Sequence, residues 1–257
     1  MIKFFRKIRQ KLIVENRFNK YLLYVIGEIV LVVIGILIAL QINNANEQKK
    51  ESAFEVKMLH EIRKEIIQDT MYFNMIRKRA ETTVEGAEKM KYFYAKKEPV
   101  SDSVVKYSKK MFTSFQFSYH KGAYEALKST GIDKITNDSL RNAITDLYDF
   151  TIPRGKSMIF GNMNSTNTSY IYDIEPFVEI LVKLNDDNQA ETVIEIHPNY
   201  FENKEFLIYI LDKLSAYNDS KSRLVYLIKD CEYVLLLIDK ELGIKGGLES
   251  DPKNTWD

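Results

Sequence analysis

The sequence predicts an all-α chain with one N-terminal transmembrane helix followed by an elongated helical bundle. Three observations carry that prediction: an aliphatic run near the N-terminus, two long apolar stripes at helical spacing, and no series of alternating, turn-bounded segments. The run from Tyr21 to Ile42 reads YLLYVIGEIVLVVIGILIALQI. At helical rise it reaches about 33 Å, the thickness of a bilayer hydrocarbon core. It is longer than the apolar core of a cleaved leader, and its exit lacks small residues at cleavage spacing, so it reads as an uncleaved signal-anchor. Upstream lie Lys3, Arg6, Lys7, Arg9, Lys11, Arg17 and Lys20. A comparable window downstream holds only Lys49, Lys50 and Lys57, so the positive-inside rule expects a cytoplasmic N-terminus. Phe5, Ile8 and Leu12 share a face of the basic segment, which suits the surface of anionic lipid.

Glu28 is the one charge inside the run. A carboxylate at mid-membrane costs about 2.5–3.5 kcal/mol on insertion scales, so it must be neutral, paired or facing water. Glu28, Gly35 and Ala39 fall within an arc of about 40°, and Gly35-x-x-x-Ala39 lets two helix backbones approach closely. The expected transmembrane interface is therefore Glu28, Gly35 and Ala39. Proton acceptance by Glu28 stays open as the sharper alternative.

Beyond the run, steps of three and four residues from Leu59 pick out Ile62, Ile66, Asp69, Phe73, Ile76, Ala80, Thr83, Ala87, Met90 and Tyr94. This heptad stripe predicts a long helix, continuous with the membrane segment until Glu98-Pro99 stops it. A second stripe passes through Leu207, Ile210, Leu214, Tyr217, Lys221, Leu224, Ile228, Cys231, Leu235, Ile238 and Leu242, and Gly243 ends it. Polar residues on these stripes, Asp69, Thr83 and Lys221, are expected to set register or partner number, as in coiled coils. Between the stripes, Ser101 and Thr136-Asn137-Asp138 look like helix starts, and His120 to Thr130 reads as a helix closed by Gly131. Pro153 and Gly155 are expected to bend or break the next helix. Residues 161–169 and 185–190 read as polar loops, TVIEIHP as briefly extended, and the tail after Gly243 as unstructured. The expected layout is a basic cytoplasmic tail at 1–20, a transmembrane helix at 21–43, an extracytoplasmic helical domain at 44–243 and a flexible tail at 244–257.

Charge and residue supply exclude several function classes. The part beyond the membrane run holds 30 basic against 34 acidic residues, about −4, which does not suit nucleic acid. One cysteine and three histidines make soft-metal sites poorly supplied, and Cys231 has no partner for an internal disulfide. Beside the apolar Ile228 and Leu235, Cys231 is expected to be a small buried residue with a raised thiol pKa. His60-Glu61-x-x-Lys64 places an ammonium where a zinc protease needs its second histidine. Ser103-x-x-Lys106 and Ser118-x-x-Lys121 match an acyl-enzyme pair but lack its other motifs, and no glycine-rich phosphate loop follows a strand. Asn137, Asn164, Asn167 and Asn218 are sequons, unsurprising in an Asn-rich chain. The stretch MFTSFQFSYHKGAYEAL mixes aromatic faces with cations, so Phe115, Phe117, Tyr119, His120 and Tyr124 form a possible recognition surface, unless those rings belong to the core.

FFRKIRQKLIVENRFNKYLLYVIGEIVLVVIGILIALQINN, from Phe4 to Asn44, closely resembles the start of an uncharacterised family of bacterial single-pass membrane proteins. AYEALKSTGIDKITNDSLRNAITDLY, Ala123 to Tyr148, looks like a second recurring element of that domain-of-unknown-function family. The resemblance implies an inner-membrane anchor with an external, periplasmic helical domain. It supplies no catalytic residue, cofactor, metal or partner, and Pro153 looks like a local departure from it. The expectation is a non-enzymatic envelope protein that needs no cofactor. Beyond the lipid bilayer, its partner is expected to be another protein or a second copy. A ligand-sensing external domain and an envelope enzyme whose site forms only on folding are the alternatives.

Overall fold

The computed structural model describes residues 18–161 and 174–244. The expected basic segment before Phe18, the polar stretch from residue 162 and the tail from residue 245 lie outside the described residues. Helix accounts for 79% and strand for 7% of the structure, so the class is mostly helical, with strand confined to one hairpin among the described residues.

Helix α1 covers Phe18–Lys96. The chain divides into two compact units, Met1–Glu55 and Val56–Asp257. In the first unit, large apolar side chains from Leu22 to Ile42 are exposed around the helix. An 18-residue window of it has mean hydropathy 2.7 with nothing buried, so one helix is long and apolar enough to cross a membrane.

In the second unit the stripe on α1 turns inward. Leu59, Ile62, Ile66, Phe73, Ile76, Ala80, Ala87 and Met90 are each buried, as expected from their spacing. α1 ends at Lys96, where Lys97 takes φ 51° ahead of Pro99. α2 (Asp102–Met111) starts at Ser101, whose side chain accepts a hydrogen bond from Val104 N–H. Gly86 matters here: a Cβ on it would lie 2.3 Å from Met111 N, so only glycine lets the end of α2 pack this closely on α1. α3 (Gly122–Thr130) is closed by Gly131 at φ 123°, and α4 (Asp138–Asp146) opens with Asn137 accepting from Ser139 and Leu140 N–H.

Of the bend or break expected at Pro153 and Gly155, the break does not occur. A π-helical turn, Leu147–Thr151, links α4 to α5 (Ile152–Gly161), with Ile152 N–H donating to the Leu147 carbonyl. The wider turn accommodates a residue without an N–H, so the helix continues through it. Strands β1 (Val178–Leu184) and β2 (Ala190–Ile196) form an antiparallel hairpin, where the sequence suggested only a brief extended piece and a loop. Its turn rests on Asn185, whose side chain accepts from Asp187 and Gln189 N–H, and on Asn188 at φ 59°. α6 (Lys204–Leu242) starts on Asn203 and ends at Gly243 in the left-handed region. Arg63 Nε lies 2.5 Å from Asp239 Oδ1. Ala87 and Met90 share a core cluster with Phe206, Tyr209 and Ile210. These two meetings make α6 antiparallel to this part of α1. The base of the hairpin, Val178 and Ile196, joins the same cluster.

Candidate functional site

The segment between α2 and α3 has no regular structure, yet Phe115 and Phe117 within it are buried. Buried backbone polar groups must find partners, and here α1 supplies them. Thr83 Oγ1 donates to the Thr113 carbonyl at 2.8 Å, and Tyr72 OH to the Gln116 carbonyl at 2.5 Å. Asp69 accepts the His120 N–H on both carboxylate oxygens at 3.0 Å, and Glu65 Oε1 accepts Ala123 N–H at 3.0 Å. The last contact places a carboxylate at the N-terminus of α3, where the helix dipole favours it and where Lys121 makes no side-chain cap. Asp69 and Thr83, the polar members of the apolar stripe, therefore bind the backbone of this segment.

Asp69 makes one further contact, to the ring Nδ1 of His120 at 2.7 Å. The carboxylate is 2% exposed and the imidazole 56%. Burial raises the Asp69 carboxyl to about 6, against the opposing pull of the hydrogen bonds and charge of His120. Tyr148, also buried, is held well above its ordinary range, first by burial and then by the charges of Glu65 and Asp69. Cys231 is fully buried and its thiol is pushed up to about 12, mainly by burial, as expected from its apolar neighbours. With Nδ1 committed to Asp69, Nε2 is the ring nitrogen left to solvent. A buried carboxylate thus orients an exposed imidazole. It is also the orienting half of a hydrolytic triad, but no described hydroxyl or thiol is bonded to Nε2.

Of the aromatic residues singled out from the sequence, Phe115, Phe117 and Tyr124 lie in the core. Phe117 stacks on Phe73 at 5.0 Å, Phe115 meets Tyr217 edge-on at 5.7 Å, and Tyr124 stacks on Tyr148 at 4.8 Å. Tyr119 is half-buried and His120 is exposed, so this part of the predicted surface is reduced to the imidazole and its neighbour. In the first unit, Glu28 is half-buried, Ala39 is exposed, and a Cβ on Gly35 would meet nothing within 4 Å. Sequence reasoning missed Glu65, Tyr72 and Tyr148. The signal for the first two was present: Glu65, Asp69 and Tyr72 recur at helical spacing beside the apolar stripe, forming a polar row. A separate surface groove of about 280 Å³ lies between α5 and α6, lined by Phe150, Arg154, Met158, Arg223 and Tyr226 among others.

These features define a mostly helical protein with one long apolar N-terminal helix and a second unit whose irregular segment is held by carboxylates. Residues 28–161 match the family of unknown function DUF6090, and the chain belongs to that family. The matched stretch takes in Glu28, Gly35, Ala39, Glu65, Asp69 and His120, and ends with α5, before the hairpin. No curated protein and no solved structure matches the chain.

Proposed function

We propose that this chain is a single-pass, non-enzymatic protein of the bacterial inner membrane whose external helical domain works by binding another protein or a second copy of itself. The observation that carries the reading is the apolar surface from Leu22 to Ile42, exposed around the helix and in need of lipid. The basic residues before it favour a cytoplasmic N-terminus, with the domain on the far side. Within that domain the buried stripes of α1 and α6 form the body of a helical bundle, and apolar side chains stay uncovered on α6 (Tyr226, Tyr233, Leu236) and on the hairpin (Val182, Leu184). Glu28, Gly35 and Ala39 lie on a face suited to a second membrane helix.

The test is alkaline extraction of membranes combined with protease protection of the full chain tagged at each end. Retention in the pellet, with only the C-terminal tag digested from outside, is the expected result. Release into the supernatant, or digestion of the N-terminal tag instead, would overturn the anchor or its orientation. A second reading, an external sensing domain, draws on the contact of Asp69 with His120, in which a buried carboxyl raised to about 6 binds the backbone and ring of an exposed residue. It predicts a pH-dependent change in the segment from Thr113 to Lys121, measurable by hydrogen exchange.

A further inference from the structure

The hairpin presents an edge that the rest of the described structure does not use. β1 and β2 make a two-stranded sheet, so the outer edge of β1 carries no strand among the described residues. Which residues face that edge follows from the pairing. Phe177 and His197 are bonded across the ladder, as are Asn185 and Gln189 at the turn. With Val178 opposite Ile196, the odd-numbered residues of β1 direct their backbone groups to β2. Val178, Ile180, Val182 and Leu184 therefore point theirs outward.

The same four residues form one apolar face. That face is buried at Val178, 41% exposed at Ile180, and 72% and 66% exposed at Val182 and Leu184. An isolated two-stranded ribbon is marginal in water, and further strands over an apolar face stabilise it.

We propose that β1 pairs antiparallel with β1 of a second copy about a two-fold axis at Leu181, giving a four-stranded sheet. This rests on the reading of the chain as a protein-binding, self-associating domain and names the surface. The charges select both occupant and register. Centring on Leu181 sets Glu179 opposite Lys183 of the second copy and Lys183 opposite its Glu179. Both are non-hydrogen-bonded positions, where side chains approach most closely. Ile180 then exchanges hydrogen bonds with Val182, and Val178 with Leu184, which pairs all seven residues. Each exposed Leu184 comes to lie beside the buried base of the other hairpin. Moving the axis half a residue aims the wrong backbone groups, and moving it one residue, to Ile180 or Val182, loses both ion pairs. Charged residues on an edge strand discourage indiscriminate pairing, and here they leave one register favoured. The contact is isologous and closes as a dimer.

The test uses full-length protein in its own membranes. Leu181→Cys places a thiol opposite itself and is expected to give a disulfide-linked dimer under mild oxidation, whereas Ile180→Cys, which faces Val182, is not. Within the hairpin Glu179 stands opposite Glu195, the partner of Lys183, so Glu179→Lys sets no like charge opposite it there. It nevertheless sets like charges across the axis and should raise the dimer dissociation constant about tenfold. Adding Lys183→Glu in the same chain restores opposite charges and should restore the dimer. Absence of the Leu181→Cys crosslink, or a charge swap without rescue, overturns the proposal. A crosslink from Leu181→Cys to a different protein overturns the second copy as occupant. Mass photometry in nanodiscs separates the two levels: an oligomer that Leu181→Cys fails to link sinks this surface but not self-association, while a monomer without any protein partner sinks both.

Discussion

α1 contains two stretches built from the same aliphatic residues and arranged in opposite ways. From Leu22 to Ile42 they occur on all sides and are exposed; from Leu59 to Met90 most occupy one buried stripe, with charged residues and the exposed Met71 and Met75 on the remaining faces. Both are good helix. The difference shows that the angular distribution of apolar residues, more than their number, records which solvent a helix was built for. A helix apolar all round needs lipid, and one with a stripe needs a protein core on that side only.

The largest expected effect comes from breaking the first arrangement. Val32→Arg together with Ile36→Arg should cost about 5–7 kcal/mol of insertion free energy and shift the chain from the alkali-resistant pellet to the soluble fraction. The second stretch should ignore lipid and respond to cavities. Phe73 is fully buried against Phe117. Phe73→Ala is expected to lower unfolding free energy by about 3–5 kcal/mol, measured by urea titration of the detergent-solubilised chain, without altering membrane retention. Gly86→Ala probes the close approach of α2 to α1, where the obstruction is backbone and cannot rotate away. It should destabilise by about 3 kcal/mol in the same titration, although alanine is the better helix former.

The smallest of these effects is a pH dependence. Asp69 is raised in the fold from 3.8 to about 6, so the native state holds a proton that the unfolded chain has released. Its stabilising contribution is complete below the unfolded value and is lost as pH rises through about 6. Across those values it should amount to at most about 3 kcal/mol, and Asp69→Asn, which cannot titrate, should flatten that part of the stability profile. An unchanged slope in the variant would locate the proton elsewhere.

Much of the helical layout was legible because each boundary has a local cause. Ser101, Asn137 and Gly243 act at helix ends as their chemistry predicts, and the buried stripe of α1 follows the spacing read from Leu59; that of α6 follows the spacing through Ile210, Leu214, Tyr217, Leu224, Ile228, Cys231, Leu235 and Ile238, while Leu207, Lys221 and Leu242 are only half-buried. The hairpin was not legible. Leu181 and Val193 interrupt the charged face of the ribbon and blur its alternation, so only the turn residues and the short extended piece TVIEIHP stood out. Pro153 was recognised as a problem for the helix, but its solution, a wider turn five residues long, leaves no mark in composition. Asp69 and Thr83 were visible as anomalies in an apolar stripe. Their partners were not, because Asp69 and His120 lie 51 residues apart and the bonded groups are mostly backbone.

Photolabelling with a carbene precursor dissolved in the lipid phase, read residue by residue by mass spectrometry on the full chain in native membranes, tests the contrast within α1 most directly. Label on all sides from Leu22 to Ile42 and none on Leu59 to Met90 is the predicted pattern. Label confined to one face of the first stretch, or absent from it, would contradict a helix surrounded by lipid.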